Sequence, residues 1–183
     1  MQAEYIDHMG DDLRVVNAAR VSFNKESDWG WFEPIGNDPN PPIVEKEGLR
    51  PSDQKLIKYL ANHDHWSPFS HVMVTMRETV PIFVARQRFK HMVGFTYNEV
   101  SRRYVDDKPE FFVPEYWRKA AENKKQGSSD EAVEEPEFTW GHDSYNYEEV
   151  IKLCTEYYEQ LLKAGVAPEQ ARMVLPQSMY TSY

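Results

Sequence analysis

Cysteine is almost missing from this chain. Cys154 is the only one in 183 residues, which excludes an internal disulfide framework and any CxxC metal or redox pair. No apolar run approaches the roughly 20 residues of a membrane-spanning helix, so no helical membrane anchor is expected. The phosphate loops GxGxxG, GxxxxGKS and GxxxxGKT do not occur, nor does the zinc pattern HExxH. No internal repeat occurs. The opening Met1-Gln2-Ala3-Glu4-Tyr5 lacks the basic-then-apolar order of a secretory leader. Together with the lone thiol, this makes a reducing cytoplasm the expected compartment. Basic charge is also scarce: 21 Lys and Arg face 30 Asp and Glu, a net charge of −9. General affinity for nucleic acid comes from neutralising phosphates with cations, so no nucleic-acid partner is expected.

What remains is an ordinary globular balance, 40% hydrophobic and 28% charged, in a length that suits one compact domain or two small lobes sharing a core. The charge is uneven. Between residues 86 and 103, Arg86, Arg88, Lys90, Arg102 and Arg103 face the single anion Glu99. Such a cationic island suits a small phosphorylated ligand, although a solvated helix face would show the same pattern.

Local patterning predicts a short helix over Asp12–Arg20. A loop rich in Trp, Gly, Asn and Pro is expected at 27–42, and a helix capped by Ser52 running to about His63. His71–Val80 alternates in part and reads as a strand, after which Pro81 opens a helix through PIFVARQRFKHM. Gly94 is expected to end that helix, and 98–104 to form a polar turn. A further helix is expected from Pro114 to about Lys125, and an acidic mobile loop over 126–137. Two more helices are expected, 144–164 capped by Asp143 and ended by Gly165, and 168–183. This order implies an α+β or α/β-type fold with few strands. Cys154 falls mid-helix and reads as a buried, inert thiol. His63, Asp64, His65 and His71 read as structural or ligand-binding groups, so no metal is expected.

The densest polar stretch runs Arg86-Gln87-Arg88-Phe89-Lys90-His91, then Asn98-Glu99-Val100-Ser101-Arg102-Arg103-Tyr104. On a helix, Arg86 and Lys90 would share one face and Gln87 and His91 another, offering donors to phosphate or to a heterocycle's carbonyls. Ser101 and the forked donor Arg103 can bind an anion, and Glu99 can accept from an N–H or a sugar hydroxyl. Ser101 has no base at a readable position, so phosphate or ring binding fits it better than nucleophilic attack.

Residues 86–104, RQRFKHMVGFTYNEVSRRY, resemble the signature of the flavin-dependent thymidylate synthases: an RQ pair, then RHR, seven or eight residues, and a serine within NExSxRY. AARVSF at 18–23, HWSPFSH at 65–71 and ARMVLP at 171–176 resemble three further family segments, in the family's order. The resemblance covers most of the chain. It implies a central, mainly antiparallel sheet flanked by helices, the thymidylate synthase-complementing fold, in a homotetramer whose active sites combine residues from several subunits. It implies dUMP contacts from Gln87, Arg88, Lys90, Glu99, Ser101, Arg102, Arg103 and Arg172. It implies FAD contacts from Ser22, Ser67, Lys90, His91, Met92 and Glu99, and roles at the reacting centre for Ser101, Arg172 and His65. The implied reaction converts dUMP to dTMP, with methylenetetrahydrofolate giving the carbon, FAD the hydride and NADPH reducing the flavin.

The chain departs from the pattern where Lys90-His91-Met92 replaces RHR and where Ser70 replaces a glutamate. The resemblance also implies a further segment beyond Tyr183, bearing more FAD contacts and an arginine that helps ionise the uracil ring. Two other readings fit the same residues. One is a non-catalytic nucleotide-binding member of the fold. The other is a nucleic-acid module using the 86–103 stripe, which the total charge opposes.

Overall fold

A computed structural model of the chain describes residues 1–36, 39–41, 43–105, 107–122 and 127–183. These residues form two compact units, one spanning Glu4–Arg77 and the other Met1–Ala3 with Glu78–Tyr183.

The Glu4–Arg77 unit carries most of β1 (Gln2–Met9) and then α1 (Asp12–Arg20), the helix expected there. Asp11 caps α1 by accepting from the Arg14 N–H at 2.8 Å. Val15 and Val16 are buried where α1 packs on the helix at Pro51–Asn62 and on a short 3₁₀ turn at Ser67–His71. Asn17 latches the exit from α1. Its amide nitrogen donates to the Ser27 carbonyl at 2.9 Å, and its oxygen accepts from the Ser27 N–H at 2.8 Å.

The stretch expected to be a plain loop at 27–42 contains a strand, β2 (Trp31–Pro34), paired antiparallel with β3 (Ile43–Lys46). Its aromatic residues favour a pleated ribbon once a partner strand is supplied; positions 37, 38 and 42 lie outside the described residues. Helix α2 (Pro51–Asn62) begins one residue before the expected cap. Pro51 takes the first helical position, and Ser52 lies inside the helix. Asp53 is then turned inward, fully buried, and pairs with Arg20 of α1.

Strand β4 (Met73–Pro81) confirms the expected strand two residues late, because His71 closes the 3₁₀ turn. Its first half, with neighbour β1, belongs to this unit. The residues Met73–Arg77 are exposed on both faces.

In the other unit, Val80 and Pro81 are buried, and helix α3 (Ile82–Arg88) follows with Ala85 in the core. The helix stops four residues short of the expected end at Met92. The Tyr97 hydroxyl donates to the carbonyls of Arg88 at 3.3 Å and His91 at 2.8 Å, which satisfies the end of the helix and of the turn after it. Lys90 and His91 therefore stand in a turn, and the helical pairing expected for Arg86 with Lys90 and Gln87 with His91 does not form.

The helix expected from Pro114 to about Lys125 is instead β5 (Trp117–Ala120), paired antiparallel with β6 (Ser128–Val133), which occupies the stretch expected to be a mobile acidic loop. Residues 123–126 lie outside the described residues. A second hairpin follows, β7 (Phe138–Trp140) with β8 (Asp143–Tyr145), so Asp143 is a strand residue and not a cap. Asn146 caps α4 (Tyr147–Lys163) through a capping box with Glu149. Gly165, at φ +83°, ends the helix as expected. Cys154 sits on α4 and is half-buried.

The long terminal helix expected from 168 is a short α5 (Pro168–Ala171), a 3₁₀ turn at Arg172–Val174, and a strand, β9 (Tyr180–Ser182). Pro176 holds the residue before it out of helical geometry, and Tyr180-Thr181-Ser182 suit a strand. β9 pairs antiparallel with Thr79–Pro81. Glu78 and Tyr183 exchange backbone hydrogen bonds at 2.9 and 3.1 Å. On the other side, Val100 donates to Ser182 and Tyr180 donates to Glu110. Every strand pair with a stated register is antiparallel, so the mixed helix and antiparallel-sheet class expected from the sequence holds.

Candidate active site

Because β9 lies between β4 and the 99–110 segment, it forms the wall of a cleft of about 660 Å³ in the Glu78–Tyr183 unit. Three of the expected substrate residues converge there: Glu99, Arg102 and Arg172. Glu99 is held by the Thr181 hydroxyl, which donates to its Oε1 at 2.8 Å. This leaves the second carboxylate oxygen for a ligand. Arg102 donates to the Asp107 carbonyl, which fixes its guanidinium along the cleft wall. Arg172 opens the 3₁₀ turn after α5 and is exposed. Thr79 and Ser182 add hydroxyls joined at 2.8 Å.

Ser101 and Arg103 are not on the lining but are preassembled beside each other. Arg103 Nε donates to Ser101 Oγ at 3.2 Å, and its guanidinium lies 5.0 Å from the Tyr104 ring centre. Among the described residues the Ser101 hydroxyl donates to no acceptor. Gln87, Lys90, His91 and Met92 do not line this cleft; Met92 is 76% exposed.

Arg88 is committed elsewhere. It pairs with Glu78 at 3.3 Å and lies 4.9 Å over the Phe95 ring. Glu78 also accepts from the Tyr183 hydroxyl. That hydrogen bond, with the Arg88 guanidinium, holds the Glu78 carboxyl below its ordinary range against the opposing effect of burial. Burial and the facing Glu78 push the Tyr183 phenol up to about 12, and Glu78 raises the Arg88 pKa. Phe89, Tyr97 and Tyr183 pack around the group, with ring centres 4.7–5.8 Å apart. Arg88 thus anchors the end of β9 to β4 and α3.

A second cleft, of about 930 Å³, lies within the Glu4–Arg77 unit. It brings together Ser22, His65 and Ser67, the three residues of this unit expected at a flavin or at the reacting centre. Arg20 and Lys55 add positive charge, and Phe23, Tyr59 and Trp66 add aromatic faces. The Arg20 side chain is clamped by the buried Asp53, so a guanidinium is fixed in the wall. This donor set, hydroxyls and cations interleaved with aromatic rings, fits a dinucleotide cofactor that carries a planar ring system.

Sequence reading passed over several lining residues of the first cleft, among them Lys108, Glu110 and Thr181. The available signal was the β-prone run Tyr180-Thr181-Ser182 after Pro176. It is too short to be recognised as a strand without its partner β4.

Fold and site therefore define a mixed α+β protein with a cleft lined by Arg102, Lys108 and Arg172 and by the carboxylates of Glu99, Asp107, Glu110 and Glu169. Comparison with known proteins gives the family. The model of the family described as thymidylate synthase complementing protein matches residues 4–183. The flavin-dependent thymidylate synthase of Thermosipho africanus is 38% identical over 181 residues, covering 97% of this chain and 68% of that protein. That of Thermus thermophilus is 37% identical over 180 residues, covering 97% of this chain and 56% of that protein. Among solved structures, a UMP/dUMP methylase PolB from Streptomyces cacaoi bound with 5-Br dUMP superposes with a TM-score of 0.64, at 30% identity, over 99% of this chain and 69% of that chain. The chain belongs to the thymidylate synthase complementing protein family.

Proposed function

We propose that this protein converts dUMP to dTMP, taking the carbon from methylenetetrahydrofolate and using FAD and NADPH for the reduction, with residues 1–183 acting as one functional domain in the cytoplasm. The observation that carries the reading is the convergence of Glu99, Arg102 and Arg172 on one cleft, with Ser101 and Arg103 preassembled beside it. The named relatives and the nucleotide-bound structural neighbour support the same substrate class.

Uracil C5 is a weak carbon nucleophile. It gains electron density when the ring's N3 anion is stabilised by cationic donors. Arg172 would supply that charge at the ring, with Arg102 and Arg103 and the Ser101 hydroxyl binding the phosphate. Glu99 would accept from the sugar hydroxyl or the ring N–H, its orientation set by Thr181. Cys154, half-buried on α4, takes no part. In the other cleft, Ser22, Ser67 and His65 with Arg20 and Lys55 would hold the flavin, which when bound supplies the hydride that completes the methyl group. Gln87, Lys90, His91 and Met92 lie outside the first cleft of their own chain and would serve the site of another subunit in a homotetramer. Exposed Tyr5 and Ile6 on β1 and Met73, Val74 and Met76 on β4 support such an assembly.

The test is to incubate the protein with dUMP, FAD, NADPH and methylenetetrahydrofolate and to quantify dTMP. Formation that depends on each addition is the expected result. Binding of dUMP with neither flavin retention nor turnover would overturn the reading in favour of a non-catalytic nucleotide binder.

A further inference from the structure

A third groove, of about 550 Å³, belongs to neither cleft described above. Its walls are aromatic: Phe83 of α3, Phe112, Tyr116, Trp117 of β5 and Tyr147 of α4. Phe83 and Phe112 meet edge-to-face at 6.0 Å, and Trp117 and Tyr147 at 5.3 Å. The Tyr147 hydroxyl donates to the Phe112 carbonyl at 3.2 Å, which ties the two pairs into one frame. Edge-to-face pairing sets ring orientation without using up both faces of each ring, so faces remain for stacking. Such rings ordinarily fill a core, yet Phe83 is 39% and Tyr116 52% exposed at this rim.

Two further features distinguish the groove from incomplete packing. Ser178 lines it and is only 8% exposed, and its Oγ has no hydrogen-bond partner among the described residues. A buried hydroxyl left unpaired is costly, and a ligand group would satisfy it. Arg118 is the one charged residue among the described residues of the lining. Its neighbour Lys119 is paired with Glu131 at 2.9 Å, whereas no carboxylate lies within 4.0 Å of Arg118 among the described residues.

We propose that this groove is a second ligand site, for a planar heteroaromatic ring that carries an anionic group. Aromatic faces stack the ring, Ser178 and the Gln177 amide meet its polar edge, and Arg118 meets the negative charge. A purine nucleotide and a pteridine carboxylate share this chemistry. The groove is distinct from the first cleft, although both are carried by one segment: Leu175 and Met179 line that cleft, and Pro176, Gln177 and Ser178 line the groove.

The full chain, saturated with FAD, would be titrated by calorimetry with 5′-AMP and, separately, with 5-formyltetrahydrofolate, with and without saturating dUMP. One of the two probes is expected to bind whether or not dUMP is present, and which one binds distinguishes the sources. Trp117→Leu should weaken that binding about five- to tenfold through loss of stacking. Arg118→Gln, at an exposed position that leaves folding intact, should weaken 5′-AMP about three- to tenfold and leave uncharged adenosine unchanged, because only the charge-assisted contact is lost. If the pteridine is the ligand, the same variant should weaken it by a similar factor. The proposal is overturned if neither probe binds, if dUMP displaces both, if both variants bind as the wild type does, or if cross-linking places a second copy of the chain over Trp117.

Discussion

Replacing Asp53 by alanine should destabilise the Glu4–Arg77 unit more than any single change at its surface. Asp53 is fully buried and pairs with Arg20, whose side chain is 24% exposed. Removing one partner of a fully buried ion pair costs about 3–5 kcal/mol, since the other charge is left without compensation. Arg20 can regain part of its hydration through its exposed edge in the second cleft, so the expected cost falls somewhat below that range, at about 2–3 kcal/mol. Urea denaturation would read this as a lowered midpoint at unchanged slope. The double variant Arg20→Leu with Asp53→Leu removes both charges and keeps apolar volume. It should recover most of the loss, because the desolvation of both groups disappears with them. Asp53→Ala should also weaken flavin retention, because the Arg20 guanidinium in the cleft wall is no longer held. A loss below about 1 kcal/mol, or a double variant no more stable than Asp53→Ala alone, would refute the reasoning.

Gly10 sits at φ +82°, and an added Cβ would stand 3.3 Å from the His71 carbonyl and from Val72 Cγ2, so Gly10→Ala should cost about 1–2 kcal/mol in thermal or chemical denaturation. The Glu78–Arg88–Tyr183 group makes stability depend on pH at both ends. Glu78 is held below its ordinary carboxyl value, so its contribution is present above that value and lost as pH falls through the lower folded pKa. Tyr183 is pushed up to about 12, so its contribution is present below the ordinary phenol range and lost as pH rises toward that value. Tyr183→Phe should shrink both limbs of a stability–pH profile, since the Tyr183 hydroxyl is also the main influence lowering Glu78. Arg172→Ala should reduce kcat/KM for dTMP formation by about 100-fold while leaving the unfolding midpoint unchanged, because its side chain is exposed and its expected role is at the reacting ring.

Local chemistry alone determined much of this protein. The charge island at 86–103, the helix over Asp12–Arg20, the strand near 73–81 and the stop at Gly165 all follow from residue type and spacing. So did the motifs that identify the family. Tertiary structure decided what depends on partners distant in sequence. Tyr180–Ser182 becomes a strand because β4, about 100 residues earlier, offers it an edge, and no local pattern contains that information. Residues 117–145 pair as hairpins instead of forming helix and loop because strand propensity is realised only against a facing strand. Arg88 looked equivalent to its cationic neighbours until the fold brought Glu78 and Tyr183 to it, and Asp53 gave no sign of its pairing with Arg20. Charge and hydrogen-bonding capacity belong to the residue. Whether that capacity meets a ligand or a neighbouring side chain depends on which groups the fold brings within about 3 Å.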